Sequence, residues 1–413
     1  MWLSPFVLLL VSIAVAPLVL PKYWDRYSFL VCLALSALVC GYYFLGRHDS
    51  ARVGHALSEY ASFIVVVGSF YTVAGGIHLR ARSHCSPMVN TLFLLFGAVL
   101  ANVVGTIGAS MLLIRPWIEM NKARFAGFHL AFFIFVISNI GGALLPVGPP
   151  LLLGYENGVP FLWPLFQLWK AWSVAMFFLL VVFYLIDRRN FRAAGRPAGS
   201  SPSDRERWHI FGKRNAFLMA ILLVALATLP SPQRELVMLG TALASYVVTP
   251  RRIHQSNGFT FTPLLEVAAL FIGIFGTMIP VFDLVEAHAA DIGVQTPSGF
   301  FWITGLLSAF LDNAPAYLTF FTQALALHGH SIHRTADVAA FLRANANLLV
   351  GISLGATFFG ACTYIGNGPN LLVKAVSDHL KMPTPTFFGL LFRYALPVLL
   401  PLFAGIGLLF LRG

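Results

Sequence analysis

The stretch "SAFLDNAP", Ser308 to Pro315, decides how this chain is read. Between Ile292 and His333, Asp312 is the only Asp, Glu, Lys or Arg, and Asn313 and Pro315 follow it closely. An ionised carboxylate at membrane depth costs at least ~2.5–3.5 kcal/mol, and proline does not continue a helix. A residue of this kind inside an apolar run faces a wet cavity, meets a partner, or caps a broken helix.

The surroundings make membrane depth the right frame. Of 413 residues, 58% are hydrophobic and 10% charged, with a mean hydropathy of +0.79, whereas soluble domains carry about 25% charged residues. Apolar runs long enough to cross a bilayer recur along the chain, without the short alternating segments of a membrane barrel. The net charge of +11 comes from Lys and Arg gathered in short loops between apolar runs. That is the positive-inside pattern, not a nucleic-acid surface. Cys32, Cys40, Cys85 and Cys362 are scattered, with neither metal spacing nor a disulfide framework. The N-terminus lacks a basic n-region, so its first apolar run is expected to be a retained span rather than a signal peptide.

The expected fold is an all-α polytopic membrane protein of about ten spans, near 2–20, 29–46, 57–78, 126–155, 159–186, 216–230, 234–249, 264–282, 338–378 and 385–411. Two further apolar runs, 88–116 and 298–325, carry "ANVVGTIGAS" and "FLDNAPAY" at their centres. A helix broken at membrane depth survives only inside protein or beside water, so both are expected to be re-entrant hairpins. The segment 187–215 holds eight Lys/Arg against three Asp/Glu around "GRPAGSSPSD" and is expected to be a basic cytoplasmic linker. Threading outward puts "HLRARSH" (78–84), "NKAR" (121–124) and "PRRIH" (250–254) inside, and "HGHSIHR" (328–334) with both chain ends outside.

The linker divides two similar halves, 1–186 and 216–413. "SEYASFIVVVGSFYTVAGG" from Ser58 resembles "LEVAALFIGIFGTMIP" from Leu265, matching Glu59 to Glu266. "GAVLANVVGT" from Gly97 matches "SAFLDNAPAY" from Ser308, stacking Asn102 on Asn313 and Ala101 on Asp312. "GGALLPVGPPLLL" from Gly141 matches "ACTYIGNGPNLLV" from Ala361. Five spans and a hairpin per half make the second half inverted. Inverted repeats with broken helices are the architecture of secondary transporters, whose sites lie at the repeat interface.

Four breaks converge in this scheme: the hairpin turns at Asn102–Ser110 and Asp312–Pro315, "SNIGGALLPVGPP" at Ser138–Pro150 and "TYIGNGPN" at Thr363–Asn370. Unwound backbone offers carbonyls to a cation, and half-helix N-termini offer positive dipole ends to an anion. Ser, Thr and Asn supply neutral ligands, and Gly and Pro supply the breaks, although such residues also make plain kinks. Asp312 can hold a cation such as Na⁺, carry a proton, or cap the second half-helix. Glu266 and Lys374 are the candidates for proton coupling. Glu266 and Glu59 are also read as interfacial. Lys374 either pairs with Asp312 or snorkels to the surface. His84, His129, His328, His330 and His333 show no paired metal-ligand spacing on one helix, and no HExxH, GxSxG or Walker loop occurs. An enzyme is therefore not expected, nor any cofactor.

With "SNIGG", "GPP", "SAFLDNAP" and "GNGPN" in view, the chain from about Ser58 onward resembles the ion transporter superfamily. Within it, the chain is most similar to bacterial membrane proteins grouped as citrate transporters and often labelled sodium/proton antiporters. The resemblance implies two inverted repeats, a homodimer through scaffold domains, an elevator-type movement, and residence in a bacterial inner membrane. It implies a site of Asp312, Asn313 and Asn102, with Ser138, Asn139, Thr363 and Asn367 around them; Thr106 and Asn370 are counted with these. Two departures stand out. D-type antiporters also carry an Asp in the first hairpin, where this chain has Ala101. Dicarboxylate carriers carry Ser-Asn-Thr at both tips, and this chain has neither. The expectation is Na⁺/H⁺ antiport at Asp312, with cation-coupled citrate or dicarboxylate transport as the alternative.

Overall fold

The computed structural model describes residues 2–80, 86–193, 209–288, 293–332 and 334–412. His84, Cys85 and His333 lie outside the described residues, as does "GRPAGSSPSD" in the linker.

The first half begins with α1 (Ser4–Val19), α2 (Pro21–Gly41) and α3 (Ser50–Gly75). The side chain of Asp49 caps α3 by accepting from Arg52 N at 3.2 Å, satisfying one of the orphan donors of the first turn. Helix α4 (Pro87–Asn121) follows. Its start is fixed by Ser86 as N-cap and Pro87 at the first helical position. Helix α4 does not run straight. Asn90 Nδ2 donates to Asn121 Oδ1 at 2.7 Å although the two residues are 31 apart, a separation of roughly 45 Å along a straight helix. The rings of Phe93 and Trp117 stack 5.5 Å apart. The fold-back is at Gly105 (φ 72°, ψ 159°), a backbone region essentially reserved for glycine. Run 88–116 is thus an antiparallel helical hairpin.

Helix α5 (Gly127–Phe133) loosens into π-helical Ile134–Asn139 and a 3₁₀ turn, Ile140–Gly142, before the chain unwinds. It re-forms as α6 (Pro149–Glu156), with Pro at its first position, and continues to α7 (Trp163–Ala193). The second half runs α8 (Lys213–Thr228), α9 (Gln233–Val248), the short α10 (Arg251–Ser256), α11 (Thr262–Thr277) and α12 (Ile279–His288). Helices α13 (Pro297–Ser308) and α14 (Asn313–Leu327) form the second hairpin, with Phe300 and Phe320 edge to face at 6.5 Å. Helix α15 (Thr335–Phe359) ends in a 3₁₀ turn, and the chain unwinds before α16 (Gly368–His379) and α17 (Leu396–Phe410).

Seven helices among the described residues are long and apolar enough to cross a membrane. One of them is α4, which folds back, so length alone overcounts there. Helices α8 and α9 are 16 residues each and α1 and α5 are also short, so the ten expected spans are not all met by length. The fold is also not purely helical: β1 (His78–Arg80) pairs antiparallel with β2 (His209–Phe211). The expectation missed this because three-residue strands carry no periodicity to read. The helices leave a broad apolar exterior, with Val247, Phe177 and Leu45 exposed by 80%, 73% and 72%, as a lipid-facing surface requires.

Helix α11 packs on α2 and α1, whereas α3 packs on α9 and α8. Helices α3 and α11 also meet directly, with Phe63 and Phe271 stacked at 4.4 Å. Helix α6 lies against α14, and α16 against α4.

Candidate functional site

The two broken helices cross where both unwind, and asparagines stitch the crossing. Asn139 Nδ2 donates to Asn370 Oδ1 at 2.8 Å. Asn367 Nδ2 donates to Ser138 O at 2.8 Å and to Asn139 Oδ1 at 3.1 Å. Asn370 Nδ2 in turn donates to Gly360 O and Thr363 O, both at 2.8 Å. Unwinding frees backbone groups that lipid cannot satisfy, and these amides take them up. Gly366 keeps the crossing tight: a Cβ there would lie 2.8 Å from both Gly360 O and Ser308 O.

Each hairpin is tied to the break in its own half. Asn102 Nδ2 donates to Gly141 O at 2.6 Å, and its Oδ1 accepts from Leu144 N at 2.7 Å. Ser110 and Ser138 share a hydrogen bond at 2.8 Å. In the second half, Thr363 Oγ1 donates to Ala309 O at 2.5 Å, and Ser308 Oγ donates to Ala356 O at 2.7 Å. Asn102, Ser138, Asn139, Thr363, Asn367 and Asn370 are therefore gathered as the sequence suggested. Their side-chain polar atoms other than Asn367 Oδ1, however, bond within the protein, so they build the crossing.

What remains open lies at the hairpin tips. Asp312 Oδ1 accepts from Asn313 N at 2.8 Å and caps α14. Among the described residues, Asn313 Oδ1 and Thr106 Oγ1 are buried without a hydrogen-bond partner. Asp312 and Thr106 line one cavity of about 340 Å³, together with Gly105 and Pro315 from the two turns. Its wall is charged: Glu59 and His55 from α3, Glu156 from α6 and Arg234 from α9. Three carboxylates thus face one guanidinium. That guanidinium is itself engaged, with Glu235 at 2.9 Å, Ser62 Oγ at 3.3 Å and Glu156 at 4.0 Å. His55 Nε2 lies 3.2 Å from Glu59 Oε1. The cavity offers oxygen acceptors with a net negative charge, the donor set of a hard cation.

Lys374 does not meet Asp312. It pairs with Asp378 one turn on along α16 and lies 5.6 Å from the Tyr364 ring, because the i,i+4 partner is within reach of its side chain. Glu266 shares a second cavity with Lys374 and Asp378, apart from the tips. Glu59, by contrast, faces the Asp312 cavity. The sequence signal for this was its match to Glu266. His55, Glu156 and Arg234 stand near helix ends, and the sequence reading did not single them out.

The family model described as "Putative citrate transport" matches residues 1–411. The chain belongs to that family. This member of the citrate-transport family is accordingly a multi-pass membrane transporter of the secondary type. No curated protein matches the chain.

One cluster away from the cavity also escaped the sequence reading. Asp187, fully buried near the end of α7, pairs with Arg124 through both oxygens. It also accepts from Asn90 Nδ2 at 2.9 Å and lies 3.3 Å from His129 Nε2. It holds the base of the first hairpin, both arms, to α7.

Proposed function

We propose that this transporter exchanges a monovalent cation, Na⁺ in the first instance, for protons, with Asp312 holding one or the other in turn. The observation that carries this is the convergence of Asp312 and the unpartnered Thr106 Oγ1 on a cavity that also holds two further carboxylates, Glu59 and Glu156, and one engaged arginine. A multiply charged anion would meet mostly like charge there. Asp312 also occupies the N-terminus of α14, the dipole end an anion would need.

The transport cycle is read as elevator-type alternating access between two inverted repeats in a homodimer of the bacterial inner membrane. The exchange of packing partners supports the repeats, since α11 takes α1 and α2 while α3 takes α8 and α9. Helices α13 and α14, of 12 and 15 residues, fall short of the ~20 needed to span, which suits a re-entrant hairpin. The cavity reaches Ser231 in the α8–α9 connection and His55 near the start of α3. These lie at the opposite ends of α3 and α9 from Gly75 and Val248, which lead into the basic sequences that follow, so by the positive-inside pattern the cavity faces outward.

Cation-coupled citrate transport is the second reading. It is favoured by family membership and by a cavity volume within the range that holds small ligands. Proteoliposomes decide between the two. Exchange predicts that Na⁺ dissipates a preset pH gradient and that Asp312→Asn abolishes this. Gradient-driven uptake of labelled citrate without such dissipation would replace the first reading by the second.

A further inference from the structure

Two glutamates stand on opposite sides of one helix crossing. Helices α3 and α11 pack antiparallel: Tyr71 OH donates to Thr260 O at 2.7 Å, Phe63 stacks on Phe271, and Tyr60 meets Phe275 at 6.1 Å. By this register Glu266 lies level with a residue about seven positions beyond Glu59 on α3, roughly 10 Å along the axis. Glu59 faces the cavity that contains both hairpin tips. Glu266 faces a second cavity of about 470 Å³ that contains neither tip. The walls correspond element by element. Phe63 and Leu270, each four residues past its glutamate, line the respective cavities. Helices α8 and α9 close the first and α1 and α2 the second, while α6 and α16 supply the remaining sides.

The second hairpin therefore carries one carboxylate, Asp312, with Ala101 at the matching place in the first hairpin. The α3–α11 pair carries one carboxylate facing each cavity. We infer that Asp312 works against two partners in turn: Glu59 in the conformation described here, and Glu266 after the hairpins have moved roughly 10 Å along the α3–α11 pair toward the second cavity. This rests on the cation/proton reading above. When a cation binds the Asp312 carboxylate, the proton leaving its carboxyl oxygen passes to the Glu59 carboxylate and from there to water on that face. On the other face a proton taken up from water by Glu266 passes to Asp312 as the cation leaves, and Glu266 is again a carboxylate. One cation and one proton cross per cycle in opposite directions, and no other group changes covalently. The charged and titratable groups around the first position are His55, Glu156 and Arg234. Those around the second are Lys374, Asp378 and Tyr364, with Tyr71 in electrostatic range of Glu266.

The test is double-cysteine cross-linking in membranes, in a full-length chain with Cys32, Cys40, Cys85 and Cys362 replaced by Ala and a protease site inserted within 289–296. Asp312→Cys is combined with Glu59→Cys in one protein and with Glu266→Cys in another. Both are treated with a bis-maleimide, cleaved, and read for fragments that stay joined. Both pairs joining is the expected result. Joining of the Glu59 pair alone overturns the hand-over, and so does joining of neither. Flux supplies an independent arm. Glu59→Gln should raise the Na⁺ KM about tenfold from the first face only, and Glu266→Gln about tenfold from the second only; equal losses from both faces also overturn it. If both pairs join while Na⁺ fails to dissipate a pH gradient in the wild type, the ion assignment fails and the hand-over stands.

Discussion

The side-chain amide of Asn139 donates to Asn370 Oδ1 across 2.8 Å, joining residues 231 apart in sequence at the point where two helices unwind. Asn367 reinforces the same joint from the second half. In a bilayer these bonds replace the water that an unwound backbone would otherwise need. Removing Asn139 strands the buried Asn370 Oδ1, and removing Asn370 strands the Gly360 and Thr363 carbonyls that its amide satisfies, each at a cost of about 1–3 kcal/mol. Asn139→Ala and Asn370→Ala should each lower the unfolding midpoint in detergent. The double variant should cost less than the sum, with a coupling of about 0.5–3 kcal/mol. Strict additivity would mean that the pair does not act as a unit.

The pattern of breaks was legible because Gly, Pro and Asn interrupting apolar runs have few uses inside a bilayer. "GNGPN" and "SNIGGALLPVGPP" located both unwound segments, and "FLDNAP" located the second turn. What the letters did not carry was which polar atoms the protein itself consumes. Asn102 and Thr106 lie four residues apart in sequence. Yet one is committed to Gly141 O and Leu144 N, and the other keeps an open hydroxyl. That difference depends on the direction of a side chain at a fold-back, which no periodicity encodes. Arg234 and Glu156 were invisible for a related reason. Each sits near the end of its own helix, and only the packing of α9 on α3 and of α6 on α14 brings them into one cavity.

Asp312 has two separable roles, cap and ligand. Asn is as good an N-cap as Asp, so Asp312→Asn should keep the folded-state midpoint nearly unchanged while abolishing cation-dependent flux. Asp312→Ala removes both roles and should lose about 0.5–2 kcal/mol in addition. Paired unfolding and flux measurements on the two variants check this. An active Asp312→Asn protein would leave only the cap.

Thr106 offers a variant whose effects on stability and function run in opposite directions. Its hydroxyl is buried and unsatisfied, so Thr106→Val, nearly the same shape, relieves a desolvation cost of about 1–3 kcal/mol. The protein should become no less stable, and more so if no water occupies the site. If the hydroxyl is a cation ligand, the same change should raise the Na⁺ KM severalfold. A raised KM with an unchanged or higher unfolding midpoint is the expected signature. A variant with normal KM would remove Thr106 from the site.

Gly105 tests whether the first hairpin needs its fold-back geometry. Its φ of 72° with ψ of 159° costs a residue with a Cβ about 1–3 kcal/mol, and the added carbon would press to 3.3 Å from Val147 O. Gly105→Ala should therefore lower stability by that order and shift the neighbouring Thr106. Flux should fall more than in Gly148→Ala, where an added Cβ meets nothing within 4 Å. Equal behaviour of the two variants would argue that the turn tolerates other backbone conformations.

The buried Asp187 is the last test, because it separates a structural ion cluster from a transport carboxylate. Asp187 accepts from Arg124 and Asn90 and lies beside His129, all at the base of the first hairpin and away from the cavity. Deleting one partner of a buried ion pair strands the other charge, at about 3–5 kcal/mol. Asp187→Ala should thus destabilise the protein more than any of the site variants, and should reduce the amount of folded transporter in the membrane. Whatever protein survives should keep the wild-type KM, since no cavity residue has moved. Arg124→Ala strands the opposite member of the pair and should behave alike. Combining the two should recover part of the loss, because the stranded charge is then gone. Flux per folded molecule separates the outcomes: a KM change in Asp187→Ala would tie the hairpin base to the ion site, and an unchanged KM keeps Asp187 as the anchor that holds the hairpin against α7.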